Sequence, residues 1–491
     1  MIITDRSAPP PRFTISAMVF VSATIAGTIA AVHFARLGLT LSHYDARAHL
    51  VVARRLADSL TPGWRQIGAV WLPLPHLLDA IPVLSPWAYQ TGYPVVAISI
   101  LSLAMGLAAL AAYLMRQRAS PVVAIATPAV ILANPNLLYL QSTPMTEPLL
   151  LGLAFVSLWL VDRWIERPDR RRSWHASLAL VALMLTRYEG WCIALALVTI
   201  AALVNWRRGV AVSTRLFPAV IASVGGFLLL SYGATGAFFV TSGFFVPENP
   251  AHHAPMVALD QVVMGTRALG GGAVVGAGMI GGVLCLIALA RLKHQALALA
   301  IVSAAALPSF AFFEGHPYRV RYMVMVVAGA GTLAAMAIAR LPRRAQPPAA
   351  VLLFCAAIWQ HPPFERTAPM VLEAQWETPF RLQRAAVTAY LVSAYDGTPI
   401  LASMGSLGHY MQETSAAGFR LADFLHEGNG DLWAAALESP ARHVRWVLTE
   451  GRAEGGDMLA QRARTDPAFL RGFAQVADGG GLVLYRRVDE K

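Results

Sequence analysis

Apolar residues run in long blocks from the N-terminus to near Trp359, broken by short polar or arginine-bearing stretches, and beyond that point the blocks stop. A helix that crosses a bilayer needs about 20 mostly apolar residues. The blocks predict eleven spans, at 14–38, 93–115, 120–137, 148–165, 174–187, 190–206, 216–233, 271–290, 295–313, 321–340 and 346–360. After Trp359 the pattern shortens. Pro399 to Ser403, His443 to Leu448 and Gly481 to Arg486 read as strands, with helical patterns at Asp431 to Leu437 and Gly456 to Arg464. Strands alternating with helices predict a small α/β unit. The expected fold is a polytopic α-helical membrane protein with about eleven transmembrane helices over 1–360, followed by a soluble α/β domain over 361–491.

Composition agrees with this division. Of the 491 residues 56% are hydrophobic and 14% charged, against about 25% charged in a soluble globular domain. The net charge of +11 comes almost wholly from arginine, the lysines being Lys293 and Lys491. Arg6 and Arg12; Arg116 and Arg118; Arg163, Arg167 and Arg170 to Arg172; Arg207, Arg208 and Arg215; Arg291 and Lys293; and Arg340, Arg343 and Arg344 occupy alternate short loops. That distribution is a topology signal rather than a groove that tracks nucleic-acid phosphates, so no nucleic-acid partner is expected. With eleven spans all these loops share one side, the cytoplasmic one by the positive-inside rule, and the tail lies outside. The opposite side carries the long segments 39–92, 138–147 and 234–270, and most of the acidic residues that precede the tail: Asp45, Asp58, Asp79, Glu147, Glu189, Glu248, Asp260 and Glu314. Function is expected there. The apolar stretch Phe13 to Leu39 is longer than the 7–15 residues or so of a signal-peptide core, which favours an uncleaved first helix; small residues around Ala26 to Ala31 leave cleavage as the alternative. Cys192, Cys285 and Cys355 each sit within an apolar run, so no disulfide is expected.

The first long loop carries the most chemistry. It reads HYDARAHLVVARRLADSL from His43 and continues TPGWRQIGAVWLPLPHLL to Leu78. Leu50, Leu56 and Leu60, with Val52 and Ala53 between, predict an amphipathic helix lying on the membrane face. Asp45 and His49 are four apart and share a face of that helix. A carboxylate in this position can take a proton from a hydroxyl that attacks another group; equally, Asp is a preferred helix N-cap. Glu147, at the start of a span, is either a second functional carboxylate or one that the helix dipole favours. Arg187, Tyr188 and Glu189 lie between two spans, where ionisable groups are either paired or functional. His316, Tyr318, Arg319, Arg321 and Tyr322 open the tenth span. Arginine suits bidentate phosphate binding, while Tyr and Arg also anchor helix ends at lipid headgroups. The FFVPENPAHHAP stretch from Phe244 offers a lid or an acceptor-recognition loop, and the adjacent His252 and His253 suit chelation poorly. Asp45, His49 and Glu147 are residue types that could hold a divalent metal, but no zinc spacing is present, and no cofactor is assigned. GAVVG at 272–276 and GMIGG at 278–282 read as helix-packing faces. No P-loop and no DxD occurs.

The form YD-x-x-x-H-L between the first two spans, NPNLLYLQSTPMTEPLLL from Asn134, LTRYEGW from Leu185 and HPYRVRYMV from His316, in that order, resemble the GT-C superfamily of membrane glycosyltransferases. The likeness is to the bacterial branch related to the aminoarabinose transferases of lipid A and the protein O-mannosyltransferases, and it covers about 14–340. The resemblance implies a polyprenyl-phosphate-linked sugar donor and inverting transfer to an envelope lipid, glycan or protein on the outer side of the inner membrane. It implies Asp45 as the base, with Glu147 as the candidate second carboxylate. Arg319, Arg321, Tyr322 and Arg187 are the candidates for the donor phosphate, and His49, Tyr44, Glu189 and His316 for the acceptor or for support. The rival readings are a lipid or glycan transporter, which would need charges in mid-span and repeat symmetry, and a catalytically silent scaffold with a binding tail.

Overall fold

The computed structural model describes residues 12–67, 70–206, 215–239, 249–453 and 456–488. Each of the eleven apolar segments is helical. The helices that matter below are α1 (Arg12–Arg36), α2 (Tyr44–Arg54), α3 (Pro73–Ala80), α4 (Tyr93–Arg116), α5 (Glu147–Glu166), α6 (Arg170–Met184), α7 (Glu189–Asn205), α8 (Phe217–Thr235), α9 (Pro255–Ala290), α10 (Val324–Ile338), α11 (Gln346–Gln360), α12 (Thr378–Ala394) and α13 (Met404–Glu413). Among the described residues seven helical stretches are long and apolar enough to cross a membrane, and Pro121–Leu132 and Glu189–Asn205 are shorter apolar helices.

Small residues set how closely the long helices approach. A Cβ added to Gly152 of α5 would lie 2.2 Å from the Ser102 carbonyl of α4, and one on Gly281 of α9 would lie 1.8 Å from the Leu333 carbonyl of α10. Part of the expected small-residue face, Gly278 and Gly281, is therefore backbone-to-backbone packing. The arginine-bearing helix ends gather at one pole. There Arg116 pairs with Asp162 at 2.5 Å and Glu166 at 2.9 Å, Arg215 reaches the Pro168 carbonyl, and Gln346 accepts from the Ser120 backbone at 2.7 Å. Cys192, Cys285 and Cys355 are free.

Two expectations need correction. The segment 234–270 is not a loop throughout, because α9 begins at Pro255 and runs to Ala290, interrupted only at Gly271, whose φ of +72° marks a kink. The Gln360 side chain closes that kink by accepting from Ala273 N at 3.0 Å. Asp260, Gln261 and Arg267 broke the apolar run in the first half of this helix and hid it from a hydropathy reading. Arg6, Arg207, Arg208 and Glu248 lie outside the described residues.

The second correction concerns the first loop. Its helix stops at Arg54, short of Leu56 and Leu60, and does not lie on a membrane face. Asp45, Ala46, Arg47, His49, Leu50, Val51, Val52 and Ala53 are all buried. The large apolar side chains of this loop that stay exposed are Leu77, Leu78, Ile81 and Leu84 on and beside α3, with Trp64 and Trp87 on either side.

What covers α2 is the C-terminal part of the chain. Its five-stranded sheet has the order β2-β1-β3-β5-β4, with β1 (Ile400–Ala402), β2 (Phe424–Leu425), β3 (Trp446–Glu450), β4 (Phe473–Gly479) and β5 (Leu482–Arg487). β1 runs parallel to β2 and β3, and β5 runs antiparallel to β3 and β4. Strands β1, β3 and β5 match the sequence expectation. β2 is two residues long, and β4 is half-exposed with no clean alternation, so neither left a pattern to read. Leu50, Val51 and Ala53 share one apolar core with Val387, Leu391, Leu407, Tyr410, Trp446 and Leu484. Around it, Gln66 donates to the Gly428 carbonyl at 2.8 Å and Gln412 to the Tyr89 carbonyl at 3.0 Å.

Because Leu50 is fully buried in this shared core, Leu50→Ala is expected to lower stability by about 2–5 kcal/mol. Thermal unfolding of the full-length protein in detergent measures this. A change below about 1 kcal/mol would mean that α2 does not depend on the C-terminal packing.

Candidate active site

The start of α2 is set by His43. Its backbone is extended, and its Nδ1 accepts from Asp45 N at 3.1 Å, so the histidine is the N-cap. Asp45 is thereby released from the capping role that its residue type suggested. Its carboxylate instead meets the Arg321 guanidinium in a direct ion pair. Arg321 enters from the short 3₁₀ turn Val320–Met323 that precedes α10, and its Nη1 lies 3.0 Å from His43 Nε2.

Glu147 reaches the same place from another direction. Asn134 caps the short helix Pro135–Leu140 through Asn136 N and Leu137 N, and its amide donates to the Leu269 carbonyl beside the α9 kink at 2.7 Å. The following turn delivers Glu147 to the first position of α5. Its Oε1 lies 3.1 Å from Arg187 Nη1 and 3.6 Å from Arg321 Nε. Arg187 sits at the tip of the α6–α7 turn. A Cβ on Gly190 would lie 2.4 Å from the Leu183 carbonyl, so this tight reversal needs glycine there, and Trp191 Nε1 donates to the Met184 carbonyl at 2.8 Å. At the tip Arg187 also holds Glu189 at 2.9 Å and the Thr146 hydroxyl at 3.0 Å.

The result is a line of alternating charge, Asp45–Arg321–Glu147–Arg187–Glu189, drawn from four separate stretches of sequence. The three carboxylate residues and Arg321 are buried, Glu147 and Glu189 each at 2% exposure. Buried charges persist where they are paired, and here Arg321, Glu147 and Arg187 each face two partners of opposite charge. Tyr322 lies against both guanidinium groups, 5.4 Å from Arg321 and 5.9 Å from Arg187, and its hydroxyl is 3.4 Å from His316 Nε2. Arg319 donates to the Tyr44 hydroxyl at 3.2 Å and lies 4.9 Å over the Trp376 ring.

Burial by itself would raise the Asp45 carboxyl. Arg321 foremost, then His43, His49 and Arg319, outweigh it and hold the group well below the usual carboxylate range. Asp45 is thus anionic at neutral pH, and its basicity depends on where Arg321 is. His49, one turn along the same face, stacks on Trp71 at 4.1 Å and bonds through Nδ1 to His76 Nε2 at 3.1 Å. Burial, then His76, keeps His49 well below the normal histidine value. Burial, then Arg55, brings His76 down to about 3, so both rings are neutral at pH 7.

Sequence reasoning missed His43, Glu373 and Trp376. Glu373 accepts from Val320 N at 2.9 Å and faces His43 Nε2 at 3.7 Å. His43 could have been found from its place just ahead of a helix whose first turn holds an acid. Glu373 and Trp376 come from the segment after α11 and carried no local signal. As for a metal, the Asp45 and Glu147 carboxylates are committed to arginines, and among the described residues no three His, Cys, Asp or Glu side chains are placed to hold an ion.

The helical plan with its small C-terminal sheet is an ArnT-like GT-C fold. The chain is similar to the crystal structure of ArnT from Cupriavidus metallidurans bound to undecaprenyl phosphate, with a TM-score of 0.58 at 15% identity, covering 96% of this chain and 97% of that one. It is likewise similar to the same ArnT in its apo state, with a TM-score of 0.56 at 13% identity and coverage of 96% and 97%. No protein-family model matches the chain, and no curated protein matches it.

Removing Arg321 strands Asp45 and half of the Glu147 pairing in a buried place. Arg321→Gln is expected to cost about 3–5 kcal/mol of stability. With its main lowering influence gone, the Asp45 carboxyl should rise, so that proton uptake by Asp45 begins at higher pH than in the wild type. Unfolding in detergent and infrared titration of the carboxyl against an Asp45→Asn control read the two effects. A stability loss below 1 kcal/mol would mean that Arg321 is not the hub of the network.

Proposed function

We propose that the protein is an inverting glycosyltransferase of the inner membrane. In this reading it moves a sugar from a polyprenyl-phosphate donor to a hydroxyl of an envelope lipid, glycan or protein. The N-terminus lies in the cytoplasm, and the loop 39–92 and the C-terminal α/β unit lie outside. The observation that carries the reading is the first-loop carboxylate Asp45, which is buried, not used as a cap, and paired with an arginine at the rim of a GT-C-like bundle. The gathering of basic helix ends at the other pole supports the orientation.

On this reading the donor lies with its lipid in the bilayer and its phosphate at Arg319 and Arg321. Glu147 and Glu189 hold Arg187 on the far side of Arg321, so that Arg321 stays within reach of both Asp45 and a phosphate. As Arg321 turns toward the phosphate, the Asp45 carboxylate loses its main stabiliser and becomes more basic. It then takes the proton from the acceptor hydroxyl while that oxygen attacks the anomeric carbon from the face opposite the phosphate. The carbon–oxygen bond to the phosphate breaks, and the phosphate leaves as an anion that needs electrostatic stabilisation rather than a proton. His49 and Tyr44 border Asp45 on the acceptor side, and Tyr322 and His316 back the arginines.

Asp45→Asn is expected to lower sugar transfer from a polyprenyl-phosphate-linked donor at least about 100-fold. The folded protein should still bind undecaprenyl phosphate. Transfer by reconstituted protein, followed by mass spectrometry of the acceptor, measures this. Wild-type transfer in the variant would remove Asp45 from the mechanism.

A further inference from the structure

Helix α2 has a second functional face. Asp45 and His49 point to the charge network, whereas Tyr44 and Arg47, three apart, turn toward α12 and α13 of the C-terminal part. Between them lies a narrow, solvent-open polar cleft, lined by Tyr44, Arg47, Glu377, Arg381, Arg384, His409 and Glu413 among others. Tyr44 belongs to both places, since its hydroxyl accepts from Arg319 of the charge network. The cleft is therefore one side chain away from Asp45.

The charges in the cleft do not cancel. The buried Arg384 takes most of both carboxylates, with its Nη1 2.8 Å from Glu377 and its Nη2 2.9 Å from Glu413. Arg47 is buried, hydrogen-bonded through Nη1 to the Gln412 amide oxygen, and only 3.8 Å at its nearest from a Glu413 oxygen already engaged by Arg384. Arg381 is exposed at the cleft and has no carboxylate partner among the described residues. Three guanidinium groups thus face two carboxylates. Burial foremost brings Arg47 down to about 10; Glu413 opposes that shift, and Arg381 and Arg384 add to it. The second observation is His409. It is 7% exposed and lines the cleft, and its Nε2 has no hydrogen-bond partner, the Glu377 carboxylate standing off at 4.0 Å. A buried ring nitrogen left without a partner is costly, and a ligand oxygen in the cleft would satisfy it.

We propose that the cleft between α2 and the α12–α13 pair is an anion subsite that takes a carboxylate or phosphate carried by the acceptor beside its reacting hydroxyl. Arg47 and Arg381 supply the charge-assisted bonds, the His409 ring supplies a third contact, and the bound anion sets the hydroxyl past Tyr44 toward Asp45. The assignment of the anion to the acceptor rests on the glycosyltransferase reading; the anion site itself does not.

The test uses full-length protein in phospholipid-free maltoside micelles, titrated with inorganic phosphate by phosphorus NMR line broadening and, separately, with glucuronate by saturation transfer. Undecaprenyl phosphate binding is measured in parallel. At least one of the two anions should bind the wild type. Arg381→Gln should weaken that binding about tenfold or more, as expected for a lost charge-assisted contact, and Arg381→Lys should restore part of it. Undecaprenyl phosphate binding should be equal in all three proteins. Because Arg381 is exposed, its replacement leaves the packing intact. The tighter of the two anions identifies whether the acceptor brings phosphate or carboxylate. No binding of either anion, or binding indifferent to Arg381, overturns the proposal. Arg381-dependent anion binding without any undecaprenyl phosphate binding would keep the cleft and sink the glycosyltransferase reading instead.

Discussion

The ion pair between Arg321 and Asp45 is the contact on which the site depends. It joins a helix of the first long loop to the turn that opens α10, residues nearly 280 positions apart in the chain, and both partners are buried. A pair in such a place stabilises little by itself, because removing both ions from water costs about as much as their attraction returns. It specifies an arrangement, however. Arg321 pairs with Asp45, meets His43 and faces Glu147, while Arg187 forms the closer ion pair with Glu147 and holds Glu189. No member can move alone without leaving a buried charge uncompensated, so the network holds four segments in one register. The same arrangement keeps Asp45 ionised and weakly basic while Arg321 is beside it.

The second constraint is that α2 belongs to two packing units. One face contributes to the charge network at the end of the helical bundle. Leu50, Val51 and Ala53 lie in the same core as the C-terminal sheet, and Arg55 reaches Met404 of α13. The C-terminal part therefore forms one wall of the site and is not an appended module. It also supplies Glu373 and Trp376 to the surroundings of Arg319 and Val320, and Arg381, Arg384 and His409 to the cleft behind Tyr44.

Glycine decides how closely these pieces can approach. At Gly152 and Gly281 the backbones of neighbouring long helices come into contact, and at Gly190 the chain reverses between α6 and α7 with no room for a side chain. That reversal projects Arg187 into the network. Gly271 breaks α9 at a positive φ, and the buried Leu269 carbonyl two residues before it is taken up by Asn134 and Asn136, which start the segment leading to Glu147. The backbone geometry of the bundle and the placement of the carboxylates are thus parts of one construction.

The sequence by itself determined the helical membrane architecture, the C-terminal α/β unit and the residue types at the site. Hydropathy is a local, summed property, and an apolar run of sufficient length has few alternatives to a helix in a bilayer. The segments bearing Asp45, Glu147, Arg187, Arg319 and Arg321 were legible for a related reason: charge at the ends of apolar runs stands out against its background. What only the tertiary structure decided is the pairing. Whether Asp45 caps its helix or faces Arg321 depends on His43 occupying the cap, and on the distant turn Val320–Met323. Whether Arg187 serves Glu189 alone or Glu147 as well depends on how α5 and α7 pack. The burial of α2 beneath the C-terminal sheet, the start of α9 at Pro255, and the roles of Glu373 and His409 follow from long-range contacts. Those contacts leave no periodicity in the chain, because each joins segments that lie far apart in sequence.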